Sequence, residues 1–164
     1  MTDAGFRALT LATAVLFAAM ALASPMACGG VWRLCSFDAQ IVPYSPAEAR
    51  AYLQAIGPAI WRYLWIVQPL DLVFPAALCL LIREAAARWA PERGARRLGK
   101  MAVIYAGIDY LENAVVRLML ERPGGDFPDI AARAASGLTL VKWLVLAILG
   151  IALALLWLRR RSAS

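Results

Sequence analysis

Residues 101–120 read MAVIYAGIDYLENAVVRLML, an apolar run interrupted by Asp109, Glu112, Asn113 and Arg117. A helix needs roughly 20 residues to cross about 30 Å of hydrocarbon. At 100° per residue, Tyr105, Asp109, Glu112, Asn113 and Arg117 fall within roughly 140° of one another. The stretch therefore reads as a spanning helix with one polar face. Lipid tolerates such a face only where it meets other polar groups, so the rest of the chain has to supply them.

Three further apolar stretches are long enough to do so, at about 6–24, 60–82 and 134–158. The second carries Gln68, Asp71 and Pro75 along one side, and the last carries Ser136, Thr139 and Lys142 along one side. Counted from the assumed outer ends at 1.5 Å per residue, Asp71 and Asp109 lie about 16 Å deep and Gln68, Glu112 and Lys142 about 12 Å deep. Direction and level both predict one polar pocket open towards the outer face, built from Gln68, Asp71, Tyr105, Asp109, Glu112, Asn113 and Lys142. Glu112 and Lys142 are the expected ion pair, with Asp71 facing Asp109. Pro69 and Pro75 each remove a backbone donor and free a carbonyl to line the pocket. Arg62 and Arg117 are expected at its outer mouth.

Composition agrees with this reading. The chain has 164 residues, 62% of them hydrophobic and 17% charged, with a mean hydropathy of +0.65. A soluble domain is roughly 45–50% apolar, so lipid is the expected solvent. No histidine is present, which removes imidazole-held haem, His-containing zinc sites and the Ser-His-Asp triad. No cofactor is expected, and a metal among Asp71, Asp109 and Glu112 would be opposed by Lys142.

The net charge of +6 is an orientation signal rather than a nucleic-acid footprint. Arg83, Arg88, Arg93, Arg96, Arg97 and Lys100 fall between the second and third stretches, and Arg159, Arg160 and Arg161 follow the last. The other two connections are poorer in base and hold Asp38, Glu48, Glu121, Asp126 and Asp129. Cytoplasmic loops carry the excess of Lys and Arg. The distribution predicts a multi-pass protein of the cell inner membrane with four spans, both termini cytoplasmic, an outer loop at 25–59 and a cytoplasmic loop at 83–100. Arg7 followed by an apolar run and Ala21-Leu22-Ala23 also fits a signal peptide, whose cleavage would leave three spans.

The outer loop has local signals of its own. Ser45, Pro46 and Glu48 form a capping box with proline at the first helical position, so a short interfacial helix is predicted from 46 to 56, stopped by Gly57-Pro58. Tyr44, Tyr52, Trp61, Tyr63 and Trp65 are expected at the headgroup level. Cys28 and Cys35 lie where a bacterial periplasm would oxidise them, and a disulfide between them is expected. Asp126 and Asp129 mark the start of the last span. The resulting fold class is an all-α membrane four-helix bundle forming a single domain over 1–164.

Asp109-Tyr110-Leu111-Glu112-Asn113, the proline-broken second span with Asp71, and Lys142-Trp143 together resemble small bacterial four-span membrane proteins with an Asp-x-x-Glu-Asn stretch. The resemblance covers roughly the last hundred residues and implies the same four-span fold, but no activity. Three function classes follow from the residues themselves. One is binding or transport of a small polar solute, a lipid headgroup or a proton at the pocket. Another is an accessory subunit or assembly factor in which the polar cluster is a structural clamp. The last is an intramembrane lipid-modifying enzyme, with Asp109 or Glu112 as acid or base. The expected partners are the bilayer and a homo-oligomer or larger membrane complex, not nucleic acid.

Overall fold

The computed structural model describes residues 1–28, 35–122 and 124–162, so part of the outer loop expected at 25–59 lies outside it. Among the described residues the chain is helical throughout, with no strand. It runs through α1 (Asp3–Ala23), α2 (Pro46–Ile56), the single turn α3 (Ile60–Arg62), a π-helical stretch (Tyr63–Val67), α4 (Gln68–Trp89), α5 (Glu92–Leu120) and α6 (Asp129–Arg161).

Segments Asp3–Met26, Pro46–Trp89 and Asp129–Arg161 are long and apolar enough to cross a membrane, consistent with a membrane protein. The exterior fits that reading. Leu72 and Val73 on α4, Val103, Ile104 and Leu111 on α5, and Leu144 and Ile151 on α6 are all exposed. α5 has 29 residues, about 44 Å of helix, but Asp109, Glu112 and Arg117 lower its apolarity.

Both chain ends meet at one end of the bundle. Arg88 donates to Asp3 (2.5 Å) and to the Met1 carbonyl (2.8 Å), and Arg160 donates to the Arg88 carbonyl (2.6 Å). Segment 83–100, read from the sequence as a loop, is helical except at Ala90 and Pro91, which form the connection between α4 and α5. Pro91 confines Ala90 to extended backbone. The charged residues on either side are good helix formers and continue the helices; Arg96 and Glu92 pair one turn apart at 2.8 Å.

The other end is capped. Ser45 and Glu48 form the predicted capping box, with Ser45 Oγ accepting from the Glu48 N–H (3.2 Å) and Glu48 from the Ser45 N–H (2.7 Å). α2 buries Ala49, Tyr52, Leu53 and Ile56. Tyr44, Tyr52 and Tyr63 are buried rather than gathered at an interface, and only Trp61 and Trp65 of the expected ring belt are exposed. The Tyr52 and Tyr63 hydroxyls find partners inside the cap, at the Cys35 carbonyl (2.8 Å) and the Asp38 carboxylate (2.8 Å), and this lets the rings leave the surface. Cys28 and Cys35 sit at disulfide distance, with Cα atoms 4.4 Å apart.

Arg50 ties the cap to the second loop. It donates to the carbonyls of Gly125 and Phe127 (both 3.1 Å) and to Asp129 (2.5 Å), with its guanidinium 5.0 Å over the Phe127 ring. Gly125 has φ 79°, and an added Cβ would meet Arg50 Cγ at 3.2 Å, so glycine serves the turn on both counts. Asp129 sits in the first turn of α6 and no side chain caps that helix, so its acidic start serves the Arg50 link. Arg50→Ala is expected to lower stability by about 2 kcal/mol, read as a lower thermal unfolding temperature of the purified protein. Arg50→Lys should recover less than half of the loss, because an ammonium lacks the fork that reaches two carbonyls and a carboxylate together.

Two apolar clusters form the core. One lies under the cap, with Phe37, Tyr52, Tyr63, Val116, Met119 and Phe127 among its members. The other, around Cys79, Ile82, Ala102, Ala106 and Leu149, lies towards the basic end. Between them is a polar layer. α1 packs on α4, α4 on α5 and α5 on α6, while α1 and α6 have little direct contact among the described residues.

Candidate functional site

Helical periodicity on α5 places Tyr105, Asp109, Glu112 and Asn113 in the interior. Across from them, α6 buries Thr139 and Lys142, and α4 buries Gln68 and Asp71. All seven residues expected at the pocket therefore belong to one buried layer.

Between α5 and α6 the layer is fully engaged. Lys142 Nζ lies 2.5 Å from Glu112 Oε2 and 3.1 Å from Asp109 Oδ1. The Tyr105 hydroxyl donates to Asp109 Oδ2 (2.9 Å), and the Thr139 hydroxyl, with one proton, lies within hydrogen-bond reach of both Glu112 and the Ala135 carbonyl. Glu112 has no exposed surface. Removing charges from water in this way is tolerable only with such complete pairing. Ser136 Oγ accepts the Tyr44 N–H at 3.1 Å.

Between α4 and α5 the side chains bond to backbone carbonyls, one of them freed by proline. Pro75 has no N–H to offer the carbonyl four residues earlier, which belongs to Asp71. Asn113 Nδ2 approaches that carbonyl at 3.4 Å, and Gln68 Nε2 donates to the Asn113 carbonyl at 3.1 Å. Ahead of Pro69 the helix widens into the π-helical stretch, where the Gln68 N–H bonds back to the Tyr63 carbonyl. A widened turn of this kind often marks a functional site.

Asp71 and Asn113 each keep a buried side-chain oxygen without a hydrogen-bond partner. Asp71 is 2% exposed, and its open oxygen is Oδ2. Asp71 and Asp109 line the same cavity of about 450 Å³, together with Tyr105 and Lys142. Gln68, Glu112 and Asn113, expected at the pocket, are not part of that lining, and neither are Arg62 and Arg117. Arg62 lies over Trp61, while Arg117 pairs with Glu121 (2.6 Å) and lies over Trp65. Long basic side chains at this level extend away from the apolar interior.

The sequence reading missed one site residue. Asp38 of the first loop is buried, lines the cavity and accepts from Tyr63 through Oδ2, while its Oδ1 has no partner. The Trp143 indole donates to its backbone carbonyl at 3.1 Å. Cys35, Ser36, Ala39 and Ile41 of the same loop line the cavity with Asp38. α1, through Phe17, Met20 and Ala21, and α6, through Trp143 and Leu146, both line the cavity and have little direct contact among the described residues. Outside the spans, burial, with Asp38 and then Glu112 adding to it, raises the Tyr44 phenol above its ordinary value and keeps it neutral.

Among the described residues the buried charged side chains are therefore Asp38, Asp71, Asp109, Glu112 and Lys142. No family model, curated protein or solved structure matches the chain, so this geometry carries the functional reading.

Proposed function

We propose that the chain is an integral inner-membrane protein of four spans, with both termini cytoplasmic, whose buried cavity binds a cationic group. α5 serves as the fourth span because its acids are turned inward while Val103, Ile104 and Leu111 face outward. The shared location of the termini supports an even number of crossings, and the Arg-rich end fits the cytoplasmic side. α2 lies at the outer interface as part of the cap.

One observation carries the binding assignment: four buried carboxylates face one buried lysine, and that lysine is held by Asp109 and Glu112. An uncompensated carboxylate in lipid costs several kcal/mol. A cationic solute or headgroup in the cavity would meet the open oxygens of Asp71 and Asp38.

Thermal unfolding of the purified protein with ethylammonium chloride, against sodium chloride at equal ionic strength, tests this. A ligand at 100 times its Kd stabilises by about 2.7 kcal/mol, so ethylammonium should raise the unfolding temperature of the wild type and not that of Asp71→Asn. Equal responses in the two proteins would overturn the assignment.

A second reading, an accessory subunit with a structural clamp, is favoured by the closed Glu112-Lys142-Asp109 arrangement. Purification in mild detergent that yields this chain alone would count against it.

A further inference from the structure

Building on the cationic-site reading, we infer that the occupant is an amphiphile with an ammonium head and a hydrocarbon tail, which enters sideways from the bilayer between α1 and α6. The cavity lining is chemically mixed. Asp38, Asp71 and Asp109 contribute acid to it, while Phe17 and Met20 of α1 and Leu146 of α6 contribute apolar wall. A purely polar solute would leave that wall unused. Its volume, about 450 Å³, falls within the roughly 300–1,000 Å³ usual for small-ligand sites, enough for a headgroup and the first part of a chain.

Access follows the packing. On the capped side Asp38 is fastened by Tyr63 and Trp143 and lines the cavity with Cys35, Ser36, Ala39 and Ile41. The α1–α6 seam has little direct packing, and Phe17, which lines the cavity, is 57% exposed. A ligand arriving through the seam comes from lipid and keeps its tail there.

The sign of the head follows from charge. Asp71 is buried and aimed into the cavity with an unpartnered oxygen, and Asp38 has another. Among the described residues the one cation in the lining, Lys142, already has two carboxylates. A fatty acid or anionic lipid would add like charge, and a neutral alcohol would leave the carboxylates unmet. An ammonium meets both, and the rings of Tyr105 and Trp143 add cation–π attraction.

The test uses the full chain in nanodiscs of phosphatidylcholine and phosphatidylglycerol, with a dodecylammonium probe bearing a tail diazirine and peptide mass spectrometry to map cross-links. Cross-links are expected to concentrate on Phe17, Met20 and Leu146, to be displaced by dodecylammonium but not dodecanol, and to fall by about tenfold or more in Asp71→Asn. Ala21→Trp, which narrows the seam on an exposed face of α1 with every acid intact, should lower them as well and serves if Asp71→Asn folds poorly. Labelling spread equally over Val103 and Leu111 of α5, or displacement by dodecanol as effective as by the amine, would overturn the inference. Stabilisation of the wild type by ethylammonium without cross-links in the seam would reject the amphiphile and leave the cationic site standing. Absence of both effects would remove both.

Discussion

Lys142→Met is expected to destabilise the protein by about 3–5 kcal/mol, the usual result of removing one partner from a buried ion pair. The substitution preserves much of the side-chain length, so lost packing contributes little. What remains is Asp109 and Glu112 in the interior with no cation between them, each with only a hydroxyl donor, from Tyr105 and Thr139 respectively. The effect should appear as a lower thermal unfolding temperature and a smaller monodisperse fraction after extraction. Neutralising the acids as well, in Lys142→Met/Asp109→Asn/Glu112→Gln, should recover most of the loss, because a buried charge network replaced as a unit is often neutral. A single Lys142→Met variant as stable as the wild type would mean that this cluster does not hold α5 to α6.

Phe37→Ala is expected to have an effect of similar size, about 3–5 kcal/mol, as for other buried aromatic truncations. The Phe37 ring has no exposed surface and lies 5.0 Å from the Tyr52 ring at 86°, 5.5 Å from Tyr44 and 6.3 Å from Tyr63. Its N–H donates to the Tyr63 hydroxyl at 3.0 Å, and that hydroxyl donates to Asp38. Removing the ring leaves a void beside the residue that carries Asp38 over the cavity. Phe37→Leu should retain part of the packing and lose less. Thermal unfolding and limited proteolysis of the first loop measure both variants, and an unchanged Phe37→Ala protein would show that the cap is not packed onto the bundle.

The site was legible on α5 because a helix converts sequence spacing directly into a face. Asp109, Glu112 and Asn113 share that face, and their cost in lipid requires partners at matching depth on α4 and α6. Pro75 was legible for a related reason: a missing N–H has a fixed address four residues back, at the Asp71 carbonyl. The capping box was equally local, and α2 starts and ends where those residues place it. Asp38 was not legible in this way. It lies in a loop without a period, and only the fold brings it to Tyr63 and Trp143, 25 and 105 positions away. The buried tyrosines were misplaced because a phenol suits an interface and an internal hydrogen bond equally well, and composition cannot choose between them. Helical continuation through the basic segment was hidden because a charge count reports on topology and says nothing about local conformation. The sparse contact between α1 and α6 depends on how four helices close, a property of the assembled bundle.

The polar layer divides into two parts with different consequences. Lys142, Asp109 and Glu112 hold helices together, and their loss should be felt in folding. Asp71, reinforced by Asp38, is left to the cavity, and its neutralisation to Asn should be felt in ligand response with the fold retained.

Modification by a lipid-soluble carbodiimide, which reacts with carboxyl groups reached from an apolar phase, tests this division most directly when the adducts are mapped by peptide mass spectrometry. The account predicts an adduct at Asp71, protected by ethylammonium, with Asp109 and Glu112 left unmodified beside Lys142. An adduct at Glu112 with Asp71 untouched would contradict it.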